Sequence, residues 1–537
     1  MTADELAEFD ALIDSDTRLF FPTPGPQMLA YYSEADIIGY GGAAGGGKSA
    51  LVTGLALTAA RRALIVRQEK VSTRKFVQDI AGILGSRDGY SSQTSSWPFL
   101  DPDGVRRVVE FAGMENEGDE EKQQGVDYDH KLYDEVTQMR EFQVRYTMGW
   151  VRTAIPGQRC RVFMTFNPPT TPEGRWVIKF FGPWLDKKHP NPAKDGELRW
   201  FASIDGNPDY ELPVERKGER FVVVGGRPVY EFDPADYPPE QIVEPKSRTF
   251  IRSRVTDNPY YMATGYISQL QGLPEPLRTQ MLHGDFDAGV EDAANQLIPT
   301  SWIEAAMDRW QPRDAKGEMD SMGVDAARGG NMGSTLGAVG RDKMVIARRH
   351  GNWFDKLVSI KGADVRSGSL AAAQMLRFLR DGAPIHLDVA GIGTSPYDVL
   401  CENNIHVVAF NNAAASLGMD KTGLLKFVNL RAEVYWKFME ALDPSNPDPV
   451  ALPDDSELLA DLAAITYKIT SRGIQLESKD EIKKRLMRST DKGDAVVMAN
   501  VSTPKRRLVV GPPVLPPGVV IGTQTWEQQR LKELEGQ

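Results

Sequence analysis

Asp36-Ile37-Ile38-Gly39-Tyr40 leads through Gly41 into Gly42-Ala43-Ala44-Gly45-Gly46-Gly47-Lys48-Ser49 and on to Ala50-Leu51-Val52-Thr53-Gly54-Leu55-Ala56-Leu57. The first run suits a strand and the last a buried helix, while the middle matches the phosphate-loop pattern G-x-x-x-x-G-K-[ST] in full. Glycines let such a loop curl until successive amide N–H groups point at phosphates. Lys48 then reaches the β and γ oxygens, and the Ser49 hydroxyl ligates Mg²⁺. Gly42, Gly45, Gly46, Gly47, Lys48 and Ser49 are therefore expected to bind a nucleoside triphosphate. A chance match in a glycine-rich loop is the plain alternative, and the flanking strand and helix weigh against it.

Beyond the loop, strand-like runs alternate with helical stretches: Arg62-Ala63-Leu64-Ile65-Val66, Val108-Val109-Glu110-Phe111 and Cys160-Arg161-Val162-Phe163-Met164-Thr165. The expected fold class is α/β, a mostly parallel sheet with helices on both faces. Asp134-Glu135 ends a further run, Tyr128 to Tyr133, which His130 and Lys131 interrupt. ATP hydrolysis needs an acid behind Mg²⁺ and a base for the attacking water, roles expected of Asp134 and Glu135. The competing explanation is an exposed acid pair favoured by a helix dipole. Thr165 and Asn167 close the next strand, where polar groups on a sheet's C-terminal edge can sense the γ-phosphate. Gln27, in a proline-rich loop, offers an amide to the adenine edge. Arg140, Arg145 and Arg152 are equal candidates to neutralise the transferring phosphoryl group.

The 537 residues exceed one ordinary core, so two large domains or three smaller ones are expected. A net charge of −11 excludes a histone-like binder and confines any nucleic-acid contact to a local basic patch. No stretch has the apolar length of a bilayer span, and Met1-Thr2-Ala3-Asp4-Glu5-Leu6 is acidic where a secretory signal is basic, so a cytosolic location is expected. Cys160 and Cys401 are the two cysteines, too few for a zinc site, and they read as small buried hydrophobes.

Between about Pro183 and Pro245 the chain turns rich in proline, glycine and charge, as an insertion or lid does. Asp285 to Asp320 is expected to connect to a second pattern. There, strands near Met322–Asp325, 335–339 and Met344–Ala347 precede a helix at Ser369–Leu379 and a strand ending in Asp388, which suggests a mixed sheet. Asp325 and Asp388 end strands and Asp494 starts an apolar helix. Carboxylates meeting on two Mg²⁺ or Mn²⁺ ions would clamp the attacking water and leaving oxygen of a phosphodiester. Caps and turn formers are the commoner use of such acids. Asp491 is a reserve ligand or a helix cap. Lys479, Lys483, Lys484, Arg485 and Arg488 form either a solvated face or a DNA-backbone contact.

Together these residues resemble the large terminase subunit of tailed bacteriophages. Gln27 is similar to that family's adenine motif, Gly42–Ser49 to its Walker A, Leu132-Tyr133-Asp134-Glu135 to its Walker B with catalytic glutamate, and Thr165-Phe166-Asn167-Pro168 to its coupling motif. Asp257-Asn258-Pro259-Tyr260, Leu273-Pro274 and Gly284-Asp285-Phe286 look like the segment that closes its ATPase half. Gly323 to Gly330, the Asp388 strand, Phe427 to Glu433 and Arg488 to Ala495 resemble its RNase H-like nuclease. Asn331-Met332 departs from relatives that carry an acid there, and Thr490 stands where relatives often have proline.

The resemblance implies an ATPase domain at 1–285, a linker at 286–320, a nuclease at 321–502 with Asp325, Asp388 and Asp494 catalytic and metal-binding, and a tail at 503–537. It further implies ATP with Mg²⁺, double-stranded DNA, a small terminase subunit and a homo-oligomer on the portal of the procapsid in the host cytoplasm, with no membrane. A helicase-like translocase with a fused nuclease is the alternative. A nucleotide-gated DNA-binding scaffold is a further one.

Overall fold

The computed structural model describes residues 18–204, 207–262, 264–286, 292–293, 295–326, 343–389, 393–486 and 488–505. Its first half carries β1 (Ile37–Gly42), β2 (Arg62–Arg67), β3 (Ser96–Leu100), β4 (Arg106–Gly113), β5 (His130–Asp134), β6 (Arg161–Phe166), β7 (Arg199–Ile204), β8 (Asn207–Glu211), β9 (Phe221–Val224), β10 (Arg227–Val229), β11 (Ile242–Val243) and β12 (Lys246–Ser253). One sheet runs in the order β3-β4-β2-β5-β6-β1-β12-β7-β8, parallel from β4 to β12 and antiparallel at both edges.

Successive residues serve opposite faces. Ile38, Tyr40, Ile65, Leu132 and Phe163 pack with Leu51 and Leu55 of the Lys48–Thr58 helix. Ile37, Leu64, Tyr133 and Met164 pack with Phe180, Phe181 and Trp184. Covering on both faces explains why these strands read as continuous apolar runs. His130 and Lys131 are buried within that pattern and do not interrupt it. The Lys131 ammonium donates to the Thr147 carbonyl at 2.7 Å, and burial pulls its pKa down to about 8.

The turn-rich stretch expected as an insertion or lid adds β7 and β8 to the sheet's edge and folds β9 to β11 into a small sheet of their own. Arg248 of β12 is buried there, bonded to Asp209 and lying over Phe180 and Phe201.

The second half carries β13 (Ser321–Asp325), β14 (Lys343–His350), β15 (Trp353–Phe354), β16 (Val358–Lys361), β17 (Ile385–Asp388) and β18 (Val407–Phe410). The path is β16-β14-β13-β17-β18, with β15 also on β14; β14 is antiparallel to β13, whereas β13, β17 and β18 are parallel. The mixed sheet expected for the second half is therefore present. The Gly368–Phe378 helix covers one face. The Leu430–Leu442, Ser456–Ala463 and Asp491–Ala499 helices cover the other.

A Cβ on Gly323 would lie 2.0 Å from the Ala495 carbonyl oxygen, so glycine is what lets the Asp491–Ala499 helix rest on β13. Within the stretch expected as a linker, the Thr300–Asp308 helix buries Ile303 and Ala306 in this core. The expected strand at 335–339, the segment 327–332 and the tail beyond 505 lie outside the described residues.

Candidate functional site

The phosphate loop leaves β1 and enters the Lys48–Thr58 helix through Gly45 and Gly47, both at φ near +80°, where a side chain would be strained. Its carbonyls are tied outward. Ala43 accepts from Lys48 Nζ at 2.6 Å, Gly45 from Asn258 Nδ2 at 2.8 Å, Gly46 from the Tyr40 hydroxyl at 2.8 Å and Gly47 from Gln27 Nε2 at 3.0 Å. Peptide planarity then turns the N–H groups of Gly46, Gly47 and Lys48 to the loop's inner side, the arrangement that binds phosphate. Gly42, at the end of β1, packs against the Ser253 backbone of β12. Burial holds the Lys48 ammonium down to about 8, against the pull of Asp134 and Glu135.

Asp134 ends β5 beside the end of β6, where the Thr165 hydroxyl donates to its Oδ1. Ser49 Oγ stands 3.4 Å from Asp134 Oδ2, so the two expected Mg²⁺ ligands are adjacent. Glu135 follows at φ 57°, a strained left-handed conformation for a non-glycine residue and a recurrent mark of functional positions. Asn167 Oδ1, just past β6, is buried without a hydrogen-bond partner among the described residues. An inward-facing amide loop, a lysine, a hydroxyl-carboxylate pair and an orphaned amide oxygen fit a nucleotide with its metal.

Four further expected side chains are already engaged by protein partners. The Gln27 side chain is occupied at both ends, donating to Gly47 and accepting from Thr23, so it shapes the loop in this structure. Of the candidate arginines, Arg140 donates to the Leu486 carbonyl, Arg145 pairs with Glu141 and Asp209, and Arg152 pairs with Asp127. The guanidinium at the acid pair is Arg67, with Nε 2.9 Å from Asp134 and Nη2 3.3 Å from Glu135. It ends β2, at the carboxyl end of a parallel strand where ligands bind, and it meets the acid pair because β2 lies beside β5.

The three acids of the second half also converge. Asp325 and Asp388 end the adjacent parallel strands β13 and β17, and Asp494 comes from the helix resting on Gly323. Asp388 accepts from Asn412 Nδ2 at 2.8 Å, and Asp494 accepts from the Tyr435 hydroxyl at 2.7 Å. Lys479 Nζ lies between them, 3.2 Å from Asp388 and 2.9 Å from Asp494. Burial drives the Asp325 pKa well up, Lys479 opposes this, and the charges of Asp491, Asp494 and Asp388 add to the rise. For Asp494 burial also works against the charge, yet Lys479, Arg431 and the Tyr435 hydrogen bond hold its pKa below the usual range.

Among the described residues no three His, Cys, Asp or Glu side chains form a ready metal cage. The acids nevertheless gather a cation, the Lys479 ammonium, and their all-oxygen donor set suits Mg²⁺ or Mn²⁺. The basic run divides by role. Lys483 and Lys484 are exposed, Arg485 pairs with Glu477, and Arg488 is buried against Asp461, which accepts the Gly493 N–H at the start of the Asp494 helix. Arg488 is thus a scaffold charge and not part of a DNA-facing surface. No helix among the described residues is long and apolar enough to cross a membrane.

No protein-family model and no curated protein matches the chain. Among solved structures it is similar to the large terminase of a thermophilic bacteriophage in complex with ADP, at 11% identity over 91% of this chain and 100% of that one, TM-score 0.31. It is similar to the large terminase of bacteriophage HK97 at 10% identity over 89% of this chain and 95% of that one, TM-score 0.31. The large terminase nuclease of the thermophilic phage G20c with bound magnesium matches at 13% identity over 38% of this chain and 97% of that one, TM-score 0.25.

Proposed function

We propose that the chain is the large terminase subunit of a tailed bacteriophage, using ATP to drive double-stranded DNA into a procapsid and a metal-dependent nuclease to cut the concatemer. The observation that carries this reading is the Asp134 carboxylate, shared by Ser49, Thr165 and Arg67 beside a phosphate loop, in a chain that also gathers Asp388 and Asp494 on one ammonium. The proposed motor is 1–285, the linker 286–320, the nuclease 321–502 and the tail 503–537. The protein works in the host cytoplasm as a homo-oligomer docked on the portal, with the small subunit as partner.

In the motor, the loop N–H groups and Lys48 bind the phosphates, and Ser49 and Asp134 hold Mg²⁺. Glu135 accepts the proton of the attacking water, Thr165 and Asn167 register the γ-phosphate, and Arg67 keeps the two acids in place. When bound, the metals supply charge neutralisation at the phosphates and, at Asp325, Asp388 and Asp494, an activated water and a stabilised leaving oxygen.

In Lys48→Ala, ATP hydrolysis is expected to fall by about 10³-fold or more and packaging into procapsids to stop. Mn²⁺-dependent plasmid cleavage by the same variant stays within about twofold, because the two sites have no residue in common. Wild-type ATP turnover by Lys48→Ala would contradict the assignment.

A further inference from the structure

Lys479 sits in a position that conflicts with its surroundings on one side and satisfies them on the other. It opens the Lys479–Leu486 helix, where the macrodipole disfavours a cation and favours the Asp480 and Glu481 that follow. The compensation lies across the cleft. Its ammonium reaches Asp388 Oδ2 at 3.2 Å and Asp494 Oδ2 at 2.9 Å.

These are oxygens that a divalent ion would need. The one charge of the ammonium faces the two carboxylates it bridges, Asp388 and Asp494, a pair that a divalent ion matches better. The way out is open as well: the Lys479 side chain is 39% exposed, and its helix buries Ile482 alone among its described residues.

We propose that Lys479 is the resident counter-ion of the acidic centre, holding Asp388 and Asp494 together until a divalent metal displaces it, and thereby setting how much metal the nuclease needs. The proposal rests on the nuclease reading and adds a positioning residue to it. Metal entry and Lys479 departure are one exchange: the ammonium releases both carboxylates, turns to solvent through its exposed side, and the carboxylates pass to the ion. Lys479 keeps its protons throughout, and only its contacts change.

The test is a Mn²⁺ titration of the full-length protein without DNA, followed by thermal shift, in wild type, Lys479→Gln and Lys479→Arg. With the competing charge gone, the Mn²⁺ concentration for half-maximal stabilisation of Lys479→Gln is expected to fall by about tenfold or more, while Lys479→Arg stays near wild type. Metal-free Lys479→Gln should also melt lower than wild type and recover with Mn²⁺. A variant folded only in Mn²⁺ supports the proposal, whereas one that Mn²⁺ does not rescue overturns it. Equal or greater Mn²⁺ demand in Lys479→Gln than in wild type overturns the counter-ion role and leaves the nuclease reading standing. If MgATP stabilises every protein but Mn²⁺ stabilises none, the nuclease reading fails and takes the proposal with it.

Discussion

The phosphate loop and the acidic centre occupy equivalent places on two different sheets, at the carboxyl ends of neighbouring parallel strands, and each sets a basic side chain against its acids: Arg67 on Asp134 and Glu135, Lys479 on Asp388 and Asp494. They differ in what holds them. The first is a contiguous turn whose ligands are backbone N–H groups, fixed by side chains that grip its carbonyls from outside. The second is three side chains from distant parts of the sequence, brought together because a strand glycine admits a helix. A backbone site is robust to its neighbours and legible as a motif; a side-chain site is only as good as the packing beneath it.

That contrast can be sharpened first at Arg67. In Arg67→Ala the loop stays intact but the acid pair is freed, so kcat for ATP hydrolysis is expected to fall by about 10²-fold or more, with ATP affinity changed by less than about fivefold. The conservative Arg67→Lys should restore part of kcat. A loss confined to affinity would mean that Arg67 belongs to the loop and not to the acids.

Gly323→Ala probes the other centre through packing alone. The added methyl meets the Ala495 carbonyl, so the Asp494 helix must lift, costing about 1–3 kcal/mol of stability. Mn²⁺-dependent cleavage should be lost while ATP turnover persists. Unchanged melting and cleavage would show that the helix is not seated on this glycine.

Much of the first half was legible because its central strands are buried on both faces and read as plain apolar runs. β12 was not, since Arg248 and Arg252 break the pattern, and only the fold shows Arg248 buried on Asp209 over two aromatic rings. Proline and glycine in the stretch around β7 and β8 concealed an extension of the sheet edge. The strand ending in Asp134 was read, but Lys131 made it look interrupted because its partner, the Thr147 carbonyl, lies on the next helix.

The sites divide in the same way. The phosphate loop and Asp134-Glu135 could be read from spacing. Arg67 needed the knowledge that β2 lies beside β5. Spacing alone left the three acids open between a metal site and ordinary caps or turn formers, and the resemblance tipped the reading. Lys479 and Arg488 looked like one basic face, yet one fills the acidic centre and the other is a buried scaffold charge.

On the proposed reading one chain holds two separable chemistries, an ATPase at Lys48 and Asp134 and a nuclease at Asp325, Asp388 and Asp494. The most direct test of that reading is plasmid cleavage in Mn²⁺ by full-length Asp325→Ala, with ATP hydrolysis measured on the same preparation. Cleavage should be abolished and ATP turnover kept within about twofold of wild type. Normal cleavage by Asp325→Ala would rule out a nuclease centre built on the three acids.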